Sequence, residues 1–458
     1  MERGARRLAL LVAGAYFMEI LDATVIAPAA PHIAADLGVA PVTVNVAITA
    51  YVLTLAVLIP ISGWLTERFG ARRIFTVAIG IFTLASAGCA VAASLPMLVA
   101  TRVLQGVGGA MMVPVGRLVV IRTTAKTDLV RAIAYLTWPA LVAPLVAPAL
   151  GGILSTYASW RWIFLINLPL GAAALLLSRR LVPAVRAETP GPLDLRGFLL
   201  AAVGIAALVF GLEGVAEPRP RWPVATAALL IALVALAGTI AHLLGATRPL
   251  VDLRILAVRT YRVTALGGSV FRAVITAIPF LLPLFFQIGF GWSAAHAGLL
   301  VIALFAGNIG IKPVTTPLMR RFGMRPVMLG AVIASALCLG GIALLQVTTP
   351  LPLLLAVLAL SGIFRSIGFT TYNTVAFADV PAPRMTSANT LMSTVQELGG
   401  GLGVAAGALL VRLGAGVGLA DESAYRLAFV LLAVLLLIPA IEAFRLPHSA
   451  GNVVAGRA

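Results

Sequence analysis

The chain alternates long apolar runs with short polar turns. Runs long enough to cross a bilayer, about 20 residues each, recur fourteen times. They fall at 8–30, 44–64, 74–94, 96–118, 133–155, 162–182, 197–214, 224–245, 261–289, 297–319, 325–346, 351–375, 386–411 and 425–445. The seventh is short, and a very tight turn separates the fifth from the sixth. In hydrocarbon every backbone N–H and C=O must be paired within its own segment, so runs of this length predict helices. The pattern predicts an all-α integral membrane protein with 14 transmembrane helices.

One short motif recurs within that pattern. Arg68-Phe69-Gly70-Ala71-Arg72 follows the second run and Arg321-Phe322-Gly323-Met324-Arg325 follows the tenth. The repeat predicts two pseudo-symmetric six-helix bundles with a helix pair inserted between them. The expected division is 1–182 for the first bundle and 183–258 for a linker (with Pro190 and Pro192) and the inserted pair. The second bundle is 259–446, and 447–458 is a tail. Parallel repeats of this kind place a substrate site at the interface of the halves, near the bilayer midplane.

Composition agrees. The chain is 61% hydrophobic and only 11% charged, where a soluble chain carries about a quarter charged residues. The net charge of +17 does not point to nucleic acid, because the arginines form neither a stripe nor a tail. They cluster between apolar runs. With the amino terminus inside, cytoplasmic loops and tails hold 23 of the 33 Lys and Arg, and the opposite face holds five. That bias predicts both termini in the cytoplasm and a multi-pass protein of the bacterial inner membrane. The first run is too long for a cleavable signal peptide.

Several chemistries are not supported. Cys89 and Cys338 lie inside apolar runs, far apart, as small hydrophobes do. The four histidines show no ligand spacing, so no metal site and no membrane hydrolase is expected. Gly399, Gly403 and Gly407 resemble a phosphate loop only superficially. No strand precedes them and no Lys-Ser/Thr follows; their small-xxx-small spacing lets helices touch closely. No nucleotide motif and no other cofactor signal is present, which argues against an ATP-driven pump. No additional soluble domain is seen, as a receptor normally has. The expected partners are lipid, protons and a small-molecule substrate, with the chain acting as a monomer.

Ionisable groups inside the runs carry the functional signal, since each is costly at hydrocarbon depth. Glu19 and Asp22 sit three residues apart, on one face of the first helix. Either they pair with a neighbouring helix or they line a cavity that takes up protons. Glu397 is a third intramembrane acid. The cations are Arg102, Arg117, Arg272, Lys312 and Arg365. Arg117 and Lys312 lie near the cytoplasmic end and read as snorkelling side chains. Arg272 and Arg365 are too deep for that; they pair with Glu397 or line the cavity and attract anions. The expected substrate-cavity set is Arg272, Lys312, Arg365, Gln287 and Asn373. In the loop after the second run, Gly70 permits a tight turn. Glu67 there can latch to basic neighbours in one conformer only, the alternative being a solvated charge run.

The segment Gly63-Trp-Leu-Thr-Glu-Arg-Phe-Gly-Ala-Arg-Arg73 is similar to the signature loop of the major facilitator superfamily. Leu98–Ala110, with Arg102, Gln105 and Gly106, resembles that superfamily's fourth-helix motif, and Pro148, Gly151 and Gly152 its antiporter motif. Trp160–Gly171 and Leu21-Asp22-Ala23-Thr24 resemble the fourteen-helix drug:proton antiporters of EmrB/QacA type. Gly362–Phe369, with Asn373 and Asp379, is similar to their MdtD-like branch. The likeness runs from about residue 10 to 445. Three positions depart from the family pattern: Glu67 replaces a shorter acid, Ala27 an asparagine and Ala147 a glycine.

The resemblance implies multidrug efflux by alternating access, and a part for Arg102 in proton coupling. The expected proton-coupling set is Asp22, Glu19, Arg102 and Glu397. The expected conformational switch is Gly63, Glu67, Arg68, Gly70, Arg72, Arg73, Pro148, Gly151 and Gly152. Few aromatic residues and several deep cations leave a second expectation open, export of small organic anions.

Overall fold

The computed structural model describes residues 3–39, 41–184, 191–216, 221–447 and 450. Its long apolar runs are helices, and no strand occurs among the described residues. In chain order the first six are α1 (Arg3–Leu37), α2 (Asn45–Phe69), α3 (Ala71–Ala90), α4 (Leu95–Thr123), α5 (Leu129–Tyr157) and α6 (Trp162–Leu181). Two more follow, α7 (Leu195–Ala216) and α8 (Trp222–Gly245). The last six are α9 (Arg259–Gly289), α10 (Ala294–Gly310 with Lys312–Phe322), α11 (Met324–Ala343), α12 (Leu351–Val375), α13 (Met385–Gly416) and α14 (Asp421–Phe444).

At 1.5 Å per residue, about 20 residues span the hydrocarbon core. Among the described residues twelve helices are long and apolar enough to cross, or thirteen when the bent α10 counts as one span. The described apolar stretch of α5, Leu129–Pro144, is shorter. The sequence count of fourteen is therefore not reached by length and composition alone.

Breaks in the helices have local causes. The two pieces of α10 meet at 48°, immediately before Pro313, which has no N–H and crowds the preceding turn. Pro60 sits in a 3-10 turn inside α2. The α2–α3 and α10–α11 turns are held by Gly70 and Gly323, with φ of 87° and 89°, a region that favours glycine.

Helix packing repeats at an offset of eight. α1 packs on α5 as α9 packs on α13; α2 on α4 as α10 on α12. α3 lies between α4 and α6 as α11 lies between α12 and α14. Glycines allow two of these approaches. A Cβ at Gly151 would come within 2.6 Å of the Val25 carbonyl, and one at Gly403 within 2.1 Å of the Ala273 carbonyl. The inserted α7 pairs with α8 and lies against both α2 and α13.

The two seams between the halves differ. α5 touches both segments of α10. α13 meets α2 chiefly over Ile59–Phe69, and over Asn45–Leu58 it is α7 that packs beside both.

Candidate functional site

The site grows from α1. Glu19 and Asp22 differ by about 60° around the helix, which is enough to part them. Asp22 is wholly buried and turned toward α4 and α6. Its Oδ2 accepts from Arg102 Nη1 at 2.5 Å. Its Oδ1 accepts from Gln105 Nε2 at 2.8 Å and Asn167 Nδ2 at 2.7 Å. Ser86 Oγ accepts from the same two amides. Arg102 is also fully buried, and its guanidinium lies 4.2 Å from the centre of the Tyr51 ring. A carboxylate with three donors and one formal counter-charge is well compensated; removing either partner would strand the other.

Glu19 points instead into a cavity of ≈ 140 Å³ between the halves. Tyr16, Ile20, Leu55, Pro114 and Arg117 line it from the first half; Arg272, Asn373, Gln396 and Glu397 line it from the second. Glu19 is 9% exposed, and its Oε2 has no hydrogen-bond partner among the described residues. Arg272 Nε is likewise unpaired, and its guanidinium sits 4.9 Å from the Phe369 ring centre. Two carboxylates and a guanidinium with an unpaired Nε beside one cavity can exchange ion partners at little structural cost.

Below that cavity, at the end carrying the basic loops, the halves are pinned together. Arg117 crosses from α4 to α13. Its Nε donates to Asn389 Oδ1 and its Nη1 to Gln396 Oε1, both at 2.8 Å. Its Nη2 donates to Ser393 Oγ at 2.5 Å and to the Asn389 carbonyl at 3.3 Å. Asn389 Nδ2 returns a bond to the Pro114 carbonyl at 2.8 Å. Arg122 donates to Thr386 Oγ1 at 2.5 Å, and Lys126 Nζ to the Ala378 carbonyl at 3.2 Å. On the α5 seam, Lys312 Nζ donates to Thr137 and Thr370 hydroxyls at 3.1 and 2.6 Å.

Arg117 and Lys312 therefore do not snorkel. They are 6% and 7% exposed, because polar partners satisfy them in place, on the opposite half for Arg117 and on both sides of the seam for Lys312. Glu19, Glu397, Arg272 and Asn373 come together around the cavity. Asn373 bonds Gln396 Nε2 at 2.7 Å and the Phe369 carbonyl at 2.8 Å. Asp22 and Arg102 stand behind it, inside the first half. Lys312 is on the seam. Arg365 does not line the cavity: its guanidinium lies 5.7 Å from the Phe305 ring centre, and its Nε and Nη1 have no hydrogen-bond partner among the described residues. Gln287, in the π-turn ending α9, donates to the Pro283 carbonyl at 3.1 Å and does not line the cavity.

The remaining residues expected to move between conformers are spread over two regions. A Cβ at Gly63 would come within 2.4 Å of Thr390 Oγ1, so α2 meets α13 there at van der Waals contact. Gly70 makes the turn, and Arg72 Nε donates to the Val182 carbonyl at 2.6 Å. Arg68 and Arg73 are exposed, and Glu67 is half-buried. Gly151 packs on Val25, while a Cβ at Gly152 would meet nothing. Pro148 is on α5, but its side chain is outside the described residues.

Sequence reasoning missed Tyr16, Asn389, Ser393 and Gln396. The signal was present. The last three recur at i, i+4 and i+7, a polar stripe along one face of an otherwise apolar helix.

Comparison with known proteins follows the same lines. The family model of the Major Facilitator Superfamily matches residues 12–404 and 264–454. A protein of Serratia proteamaculans described as "Putative multidrug resistance protein MdtD" is 39% identical over 443 residues, covering 95% of this chain and 92% of that protein. The crystal structure of the human organic anion transporter MFSD10 (TETRAN) has a TM-score of 0.67 at 13% identity, covering 96% of this chain and 100% of its own. The proton:xylose symporter XylE, bound to 6-bromo-6-deoxy-D-glucose, scores 0.66 at 13% identity, covering 98% and 97%. At that identity the two structures establish the fold and nothing about cargo.

Proposed function

The chain belongs to the major facilitator superfamily, and from that premise we propose that it is a proton-coupled antiporter exporting drug-like organic compounds. Its basic loops and both termini face the cytoplasm of a bacterial cell, and it sits in the inner membrane. The likeness to MdtD proteins over nearly the whole chain supports the drug class.

One observation carries the reading: the Glu19 carboxylate, buried and unpartnered at Oε2, shares a cavity with Glu397 from the other half. A protonated Glu19 is neutral and compatible with halves that close around it. A cationic substrate that enters displaces the proton, restores the charge and changes which conformer is favoured. Asp22 acts from behind. Tied to Arg102, it holds α1 against α4 and α6 and keeps Glu19 aimed at the cavity. Arg117, Arg122 and Lys126 close the cytoplasmic side, so this conformer withholds the cavity from the cell interior. Exchanging one proton for one monovalent cation moves no net charge. The pH gradient then supplies the drive, about 1.4 kcal/mol per unit.

The anion reading is not favoured. Of the three cations offered for it, Lys312 and Arg365 do not line the cavity, Arg272 shares it with two acids, and the other lining cation, Arg117, is taken up by four hydrogen bonds to α13.

The test is transport in proteoliposomes with tetraphenylphosphonium as the probe. An imposed pH gradient should drive uphill movement in the wild type and not in Glu19→Gln, while downhill exchange survives in both. Uphill movement in Glu19→Gln would refute the assignment of the proton site.

A further inference from the structure

Among the described residues, four charged side chains line the central cavity of ≈ 140 Å³. Glu19 and Arg117 come from the first half, Arg272 and Glu397 from the second. With both acids ionised, the lining carries no net charge. Arg117 spends its donors on α13.

Two of the four present unspent polar atoms from opposite sides of the seam. Glu19, on α1, has no partner for Oε2, and Arg272, on α9, has none for Nε. The two helices are counterparts in the repeat. Among the described residues no ion pair joins Arg272 to Glu19 or to Glu397. The Phe369 ring, 4.9 Å from the Arg272 guanidinium, backs it at the wall. Much of the remaining lining is apolar, with Ile20, Leu55 and Phe377. Buried polar atoms are normally hydrogen-bonded, and leaving one unpaired is costly. An acid and a base left open in one apolar space are places for ligand groups of the opposite charge.

We propose that the preferred cargo is a zwitterion, a compact organic compound whose cationic centre meets Glu19 and whose carboxylate meets Arg272. Charge separates this class from simpler ones. A monocation enclosed by a neutral lining leaves one positive charge uncompensated, and an anion leaves one negative charge. A zwitterion leaves none, and an uncompensated charge away from water is expensive. A zwitterion also touches both halves at once, so its binding favours the conformer in which they meet around it. The inference rests on the exporter reading above and narrows its cargo, with Arg272 as the residue that sets the preference.

Three probes on one scaffold test it: 4-(trimethylammoniomethyl)benzoate, its methyl ester and 4-methylbenzoate. They carry both charges, the positive alone and the negative alone. Dissociation constants are measured by titration calorimetry in detergent. The wild type should bind the zwitterion about tenfold more tightly than the ester, since a charge-assisted contact is added, and 4-methylbenzoate most weakly. Arg272→Gln should remove the preference of zwitterion over ester, and Arg272→Lys should restore part of it. Glu19→Gln should weaken both. A damaged fold moves both constants rather than their ratio, and the wild-type ranking needs no variant. In proteoliposomes, exchanging one proton for a zwitterion moves one net charge. A potential of 100 mV should then raise zwitterion accumulation about 50-fold and leave that of the ester unchanged. Equal wild-type affinity for zwitterion and ester, or a ratio unaltered by Arg272→Gln, would overturn the zwitterion class, while uphill movement of the ester would leave the exporter standing. No uphill movement of the ester or of tetraphenylphosphonium would overturn both.

Discussion

Replacing Arg117 with alanine should unlock the face that carries the basic loops, the cytoplasmic one in the proposed orientation. The guanidinium makes four hydrogen bonds to α13, three of them between 2.5 and 2.8 Å. Bonds to a charged donor contribute roughly 1.5–3 kcal/mol each. Most of that is returned when the open conformer rehydrates the guanidinium, and the buried cation carries a desolvation penalty in the closed one. A net preference of about 2–4 kcal/mol for the closed face remains, or roughly 30- to 700-fold in the conformer ratio. Asn389 and Gln396 lose a partner but keep their bonds to the Pro114 carbonyl and Asn373, so the fold should survive. The assay is modification of a single cysteine at Leu136, which lines the cavity, by an impermeant maleimide applied from the cytoplasmic side. Arg117→Ala should raise the labelling rate by at least tenfold. An unchanged rate in a protein with wild-type thermal stability would show that Arg117 does not hold the gate.

Further outcomes follow from the same geometry. Gly63→Val, whose side chain would collide with Thr390, should hold α2 off α13 and raise the same labelling rate; slower labelling would contradict the close contact. Asp22→Asn strands a fully buried Arg102 and should cost ~3–5 kcal/mol of stability, seen as a lower melting temperature in detergent. The double variant Asp22→Asn, Arg102→Gln should recover most of it, and no recovery would mean the two are not a pair. Asp194, outside the spans, caps α7 and bonds His242 Nε2 at 2.8 Å. Burial alone would raise its pKa, but the Gly197 and Leu250 amides and the His242 ring outweigh that and hold it below the ordinary carboxylate value. A lowered folded pKa stabilises above the unfolded value, near ~4, and that stability is lost as pH falls through the folded one. The melting-temperature gap between wild type and Asp194→Asn should therefore close on acidification; a gap independent of pH would remove Asp194 from the account.

The spans, the repeat and the acids of α1 were legible because each rests on a local rule. Apolar length sets a span, a glycine with positive φ sets the turns at Gly70 and Gly323, and burial cost makes Glu19 and Asp22 conspicuous. What could not be read was direction. A spacing of three put Glu19 and Asp22 on one face, yet the packing of α1 sends one into the cavity and the other into the bundle. Arg117 was misjudged for a related reason: its distance from the helix end suggested snorkelling, and its partners lie more than 270 residues away in the chain. Arg365 and Gln287 show the converse. Each is unusual for its depth, but unusual depth does not say which way a side chain faces.

The most direct measurement of the central claim is proton release from the purified protein in lightly buffered detergent when tetraphenylphosphonium is added. The account predicts that the wild type releases protons in proportion to bound probe, and that Glu19→Gln binds the probe and releases fewer. Equal release from Glu19→Gln, or binding without release in the wild type, would contradict it.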